Sequence, residues 1–169
     1  MEREILNELQ ITTGELVQML SSLSQEQFNA VPFEGSWTAA ELGEHMNKSY
    51  EVAELLYGTV KKTERDPTEK VKGIKETFLN FDTKMKSPDF IVPENKVYDK
   101  STLINPLKES INKIKQGAET LNLEETCTAF ALPGLGEMTR IEWIYFVIYH
   151  TQRHIHQLKR IIAKVQHNK

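Results

Sequence analysis

The sequence predicts an all-α fold, specifically a four-helix bundle with long connections between its helices. Four long segments place apolar residues three, four or seven apart, which is the period of an amphipathic helix. No convincing β-strand alternation is present. The chain has 169 residues, 39% hydrophobic and 27% charged, a globular balance that predicts one domain over residues 1–169.

The first helix is predicted over residues 2–23. Leu9, Leu16 and Leu23 lie on one face at steps of seven residues, and polar residues such as Arg3 lie on the other. These positions predict an amphipathic helix that packs on a core.

The second helix is predicted over residues 38–60, after a loop that contains Pro and Gly. Its start is indicated by a capping box, in which Thr38 accepts a first-turn amide and Glu41 reaches back. A further helix is expected to begin at Asp66, with Ile74, Phe78 and Phe81 on one side. The following residues 87–99 are expected to be irregular or extended.

The third long helix is predicted to open at Ser101 or Thr102, where Pro106 falls close enough to the first turn to be tolerated. The last helix is predicted from Thr139 to about Gln166, because residues 139–142 form a second capping box. Connections of roughly 15 to 40 residues favour a crossover topology over a simple up-down bundle.

Three of the five histidines occupy apolar helix faces. His150 and His154 lie one turn apart in the apolar stripe of the last helix, whereas His156 points to the opposite, solvated side. His45 lies on the apolar face of the second helix. Two interpretations are open: hydrogen-bonded core histidines, or three ligands of one shared cation such as Zn²⁺, Ni²⁺ or Fe²⁺. Three neutral ligands would leave a coordination position for water or substrate, which is typical of catalytic sites.

Two motifs resemble the DinB-like superfamily. The stretch Pro32–His45 resembles its opening motif, P…W-[ST]…E…H. Residues 136–143 followed by His150-x-x-x-His154-x-x-Gln157 resemble its closing motif, in the same order and over nearly the whole chain. The resemblance implies a DinB/YfiT-like four-helix bundle of up-down-down-up topology. It also implies an interior metal held by His45, His150 and His154.

The resemblance suggests a metal-dependent hydrolase or a thiol S-transferase that acts on a small molecule. The transferases of this family use low-molecular-weight thiols such as bacillithiol or mycothiol. We expect a divalent metal, zinc before nickel or iron, and water or a thiolate as the nucleophile. The alternative is a non-catalytic binding or homodimerising protein with a structural or vestigial metal site.

Two side chains are candidates for holding the ligands. Gln157 lies about one turn beyond His154, and Glu41 lies about one turn before His45, where its capping role is an alternative. Trp37 is a candidate for lining the pocket mouth. The single cysteine, Cys127, is expected in a short helix or loop and is a poor candidate for the nucleophile.

Charge and hydropathy exclude other classes of partner. The 21 basic and 24 acidic residues give a net charge of −3, which argues against nucleic-acid binding. No run of about 18 apolar residues is present, so we expect no membrane span. One cysteine and an opening without an apolar signal core predict a cytoplasmic protein.

Overall fold

The computed structural model describes residues 2–167, which are mostly helical, and this confirms the predicted all-α class. The helices are α1 (Glu2–Ser21), α2 (Gln25–Asn29), α3 (Ala39–Ser49), α4 (Val52–Leu56), α5 (Val71–Phe78), α6 (Lys100–Thr120) and α7 (Arg140–His167). A 3-10 turn spans Asp89–Ile91. None of the helices in residues 2–167 is long and apolar enough to cross a membrane.

Helices α1, α3, α6 and α7 contribute to one apolar core, together with residues of α2, α4 and α5. α1 packs against α6 and α7, and α3 packs against the same two helices. Fully buried side chains from all four helices meet there, among them Leu9, Leu42, Leu107 and Leu158. Each such leucine contributes roughly 1.5–3 kcal/mol by leaving water. This packing places the interior faces of α3 and α7 opposite each other.

The second predicted helix is broken rather than continuous over 38–60, because α3 ends at Ser49 and α4 begins at Val52. The Ser49 hydroxyl donates to the carbonyl of His45 at 2.8 Å, a local bond that bends helices. At the break, Tyr50 is fully buried and its hydroxyl lies 2.5 Å from that of Thr151 on α7. His45 precedes the break, so it lies on the apolar face of α3 that the helical spacing predicts.

Two other helices begin at residues that differ from the prediction. The Asp66 carboxylate accepts the Thr68 amide at 2.8 Å and forms a local turn, so α5 begins only at Val71. Phe81 therefore lies beyond the end of α5 and is 46% exposed. The third long helix begins at Lys100, because Asp99 provides its cap by accepting an amide within the first turn.

The structure also contains two short strands that the sequence pattern did not predict. β1 (Val60–Lys61) and β2 (Thr126–Cys127) pair antiparallel, with Val60 opposite Cys127. Two residues are too few to show an alternation. Cys127 therefore lies in a strand rather than in a helix or loop. It is buried, and burial raises the pKa of its thiol to about 11, which opposes a nucleophilic role.

The start of α7 confirms the second capping box and extends it. Glu142 accepts the Thr139 amide at 2.9 Å, and the Thr139 hydroxyl accepts the Glu142 amide at 3.2 Å. The same carboxylate accepts two bonds from the Arg65 guanidinium, at 2.7 and 2.8 Å, and one from the Lys70 amide at 2.7 Å. Burial raises the pKa of Glu142, but these hydrogen bonds outweigh burial and leave that pKa below its ordinary value.

We predict that Glu142→Gln lowers the free energy of unfolding by about 3 kcal/mol at pH 7, because it removes the buried carboxylate that accepts two hydrogen bonds from Arg65. Urea unfolding measures the loss. Glu69→Gln is the matched control, since Glu69 is a largely exposed partner of Arg65 at 3.6 Å. Its effect should stay within about 0.5 kcal/mol.

The pH dependence of the stability difference between wild type and Glu142→Gln tests the charge of Glu142. A carboxyl group whose folded pKa lies below its unfolded value of 4.5 stabilises the fold above that pH. This stabilisation is lost as the pH falls through the folded pKa. The difference between wild type and Glu142→Gln should therefore narrow as the pH falls below 4.5, and a constant difference would contradict the assignment.

Candidate metal centre

The structure brings together the three histidines predicted from helical spacing. His45 on α3 and both His150 and His154 on α7 are buried, with 1%, 6% and 8% of their surface exposed. The Nε2 atom of His150 lies 3.2 Å from that of His45 and 3.1 Å from that of His154. His156 is exposed on another face of α7, where its ring stacks on Phe81 at 4.1 Å.

The outer nitrogens of two of these rings are held by oxygen atoms. His45 Nδ1 lies 2.9 Å from the carbonyl oxygen of Ile91, and His154 Nδ1 lies 2.9 Å from Gln157 Oε1. An oxygen acceptor requires the ring hydrogen on Nδ1, so each Nε2 presents a lone pair to the cluster. Gln157 was predicted for this place. The Glu41 carboxylate instead accepts the Thr38 amide at 3.0 Å and caps α3.

The Ile91 carbonyl is a contact that the sequence did not reveal. It belongs to the 3-10 turn in the irregular connection before α6, 46 residues after His45. Every residue has a backbone carbonyl, so residue type carries no signal for such a contact.

The third ring has an unsatisfied atom. Among residues 2–167, the buried Nδ1 atom of His150 has no hydrogen-bond partner. A neutral imidazole carries one hydrogen. If the hydrogen of His150 is on Nε2, it can be donated to only one of the two neighbouring Nε2 atoms. If the hydrogen is on Nδ1, the three Nε2 lone pairs face one another without a donor. A buried group left unsatisfied costs about 1–3 kcal/mol, whereas one cation accepts all three lone pairs.

The spacing of the nitrogens also fits a single ion. Nitrogens at about 2.0–2.1 Å from one zinc ion are roughly 3.3–3.4 Å apart at tetrahedral angles and roughly 2.8–3.0 Å apart at right angles. The observed separations of 3.1 and 3.2 Å lie between these values. Within residues 2–167, this three-histidine group could bind a metal ion.

The surroundings keep the three rings uncharged. Burial lowers the pKa of each, with the other histidines contributing repulsion at His150 and His154, and the pKa of His154 falls to about 3. Aromatic rings contribute to this burial: the ring centre of Phe146 lies 5.2 Å from that of His150, and the ring centre of Trp37 lies 5.0 Å from that of His45. Neutral imidazoles are the form that binds metals, so all three are ready to do so near pH 7.

A cavity of about 1220 Å³ connects the cluster with the surface. All three histidines line it, and so does Trp37, as predicted from the sequence. The lining also includes the partly exposed rings of Phe90 and Phe130, whose centres lie 5.9 Å apart. The volume is sufficient for a small organic molecule to reach the histidine nitrogens.

Comparison with known proteins agrees with the motifs. A family model described as the DinB superfamily matches residues 8–158, which include all three clustered histidines. A Bacillus subtilis (strain 168) protein named "Uncharacterized protein YuaE" is 25% identical over 166 residues, covering 96% of this chain and 98% of its own. No solved structure gives a significant match. Since the family match takes in most of the chain, including the residues of both motifs, the chain belongs to the DinB superfamily.

Proposed function

We propose that this protein is a divalent-metal-dependent enzyme that acts on a small molecule, as a hydrolase or as a low-molecular-weight-thiol S-transferase. His45, His150 and His154 hold the ion. The observation that carries the proposal is the convergence of three Nε2 atoms whose rings are buried, neutral and, in two cases, fixed from behind by an oxygen. Zinc is the first choice because three imidazoles with an open position are a frequent catalytic zinc arrangement.

In the proposed chemistry, the ion and the protein side chains have different roles. A divalent ion, when bound, supplies Lewis acidity that makes water or a thiol nucleophilic near neutral pH. Gln157 and the Ile91 carbonyl orient two of the ligand rings. Trp37 and Phe146 shield the ligand rings from water, and the cavity gives a substrate access to the histidine nitrogens.

The proposal includes the architecture that carries the site. We assign one domain, a four-helix bundle made of α1, α3, α6 and α7 in up-down-down-up topology. One continuous apolar cluster and the packing of both α1 and α3 on α6 and α7 support this assignment. It brings one ligand from α3 and two from α7 to the interior.

A non-catalytic binding or dimerising protein with a structural metal is the competing function. A structural site is usually closed by a fourth protein ligand. Within residues 2–167 the cluster contains three metal-binding side chains, and the cavity reaches them. Both features favour the catalytic alternative.

We predict about one divalent ion per chain for the untagged protein, measured by elemental mass spectrometry. His45→Ala and His154→Ala should lose the ion, because two remaining ligands hold it weakly. His156→Ala is the matched control on the same helix and should retain it. Loss of metal from the control, or full retention in both ligand variants, would contradict the assigned site.

Gln157→Ala should weaken metal binding by roughly 10–100-fold, because His154 loses the oxygen that fixes its ring and hydrogen. Competition against a metal-binding dye measures the change in Kd. Gln166→Ala, an exposed change near the end of the same helix, is the control. Equal affinities of Gln157→Ala and wild type would show that the contact does not support the ligand.

The metal-loaded protein should turn over substrates in ester-hydrolysis screens or in screens that pair small thiols with small electrophiles. Activity should vanish on chelation, return with added ion, and be absent from His154→Ala. His156→Ala again serves as the folded control. Turnover that survives chelation, or persists in His154→Ala, would contradict the metal-dependent mechanism.

A further inference from the structure

The charged residues that line the cavity are almost all cationic, although the chain as a whole is acidic. The net charge of the chain is −3. The charged side chains along the cavity, other than histidine, are Lys48, Lys84, Lys86, Arg153 and Arg160 against Glu51. A concave surface lined by one sign of charge concentrates ligands of the opposite sign.

Protein carboxylates do not neutralise these cations. Among residues 2–167, none of the five lies within ion-pair distance of an acidic side chain. Their charge is therefore available to a ligand, which distinguishes them from Arg65 and Arg140, both of which are paired with glutamates.

Arg153 is held in place without being neutralised. Its Nη1 donates to the carbonyl oxygens of Asn80 at 2.9 Å and Phe78 at 3.3 Å, and its Nη2 donates to that of Thr83. In the described part of the chain, its Nε–H makes no hydrogen bond. Three neutral carbonyls thus orient a half-buried guanidinium that still has donors for an anion.

Arg160 completes a basic stripe beside the metal ligands. Relative to His154, the helical rotation puts Arg153 and Arg160 at roughly 100° and 120° to the same side. They are separated by roughly 10 Å along α7. The Arg160 guanidinium lies 5.8 Å from the ring centre of Phe33, an aromatic residue that is 39% exposed. Phe81, which follows the Asn80 carbonyl bound by Arg153, is likewise exposed and lines the cavity.

We propose that the cavity selects a small organic anion with an apolar body. Its anionic group binds at the basic stripe formed by Arg153 and Arg160, its apolar body lies against Phe33 and Phe81, and its other end reaches the histidine cluster. The inference rests on the proposed function for what happens at that end. The anion site itself is built from side chains that do not bind the metal, so it is testable without any metal.

The test uses the full chain after chelation and dialysis, with isothermal titration calorimetry at pH 7.5. The probes are 4-phenylbutyrate and 4-phenylbutyl phosphate, compared with the uncharged 4-phenylbutanol of the same skeleton. Both the carboxylate and the phosphate can accept hydrogen bonds from a guanidinium group. Their relative affinity shows whether the site prefers a carboxylate or a phosphate. We expect at least one anion to bind roughly tenfold more tightly than the alcohol.

Variants assign the preference to the arginines. Arg160→Gln should reduce it several-fold, and the double variant Arg153→Gln/Arg160→Gln should abolish it. Lys159→Gln is the matched control, because Lys159 is exposed on α7 and pairs with Glu15 at 3.4 Å. Arg153 also donates to three backbone carbonyls, so its replacement could disturb the fold. Circular dichroism therefore checks that each variant is folded. The exposed Arg160 keeps the test valid if the Arg153 change unfolds the chain.

The outcomes separate this inference from the proposed function. Equal binding of anions and alcohol, no binding of any probe, or an undiminished anion preference in folded Arg160→Gln would overturn the anion site. Arg160→Gln should take up metal as wild type does. A chain that takes up no metal overturns the proposed function, yet its anion preference remains measurable in the same titrations.

Discussion

The contact between α3 and α7 controls the chemistry of this molecule, because it buries three imidazoles against one another. Apolar packing brings the two helices together, and the histidines lie on the faces that this packing buries. Whichever nitrogen of His150 carries its hydrogen, at least one inward lone pair of the cluster is left without a donor. The hydrophobic core therefore stabilises an arrangement that is unfavourable for the three polar groups alone. A site whose ligands are held close together before binding loses little conformational entropy when a cation enters.

The irregular connections between the helices supply part of the cavity lining and one contact to a ligand histidine. Residues 65–70 are tied to the start of α7 through Glu142, which positions the segment that leads into α5. The connection after α5 is held by Arg153, through backbone carbonyls, and it later supplies the Ile91 carbonyl to His45. Lys48 donates to the next carbonyl, that of Val92, at 2.9 Å. One wall of the cavity is thus attached to the helices by hydrogen bonds to backbone, which places few demands on side-chain identity.

Sequence reasoning succeeded where the helical period is regular and failed where tertiary contacts decide. The phase of α7 separates His150 and His154 from His156, because 28 residues of uninterrupted helix make the period unambiguous. The same logic placed His45 on a buried helix face, since α3 is regular up to Ser49. It missed the break after Ser49, where Tyr50 makes a buried contact with Thr151, 101 residues later, that leaves no local pattern. Gln157 was predictable from its spacing of three residues. The Ile91 carbonyl and the Arg65 partner of Glu142 lie 46 and 77 residues away and leave no local pattern.

The charge distribution explains how a neutral ligand set and a basic cavity rim can belong to one mechanism. Three neutral imidazoles do not offset the charge of a divalent ion, so an ion bound there carries its full positive charge in a partly apolar cavity. Arg153 and Arg160 add further positive charge along the same wall. Such a site favours ligands that bring negative charge. An anion bound at the arginines would be positioned by groups that take no part in the reaction, which is how remote binding energy orients a substrate. The ligand histidines could then remain neutral throughout, while the arginines determine which molecules approach them.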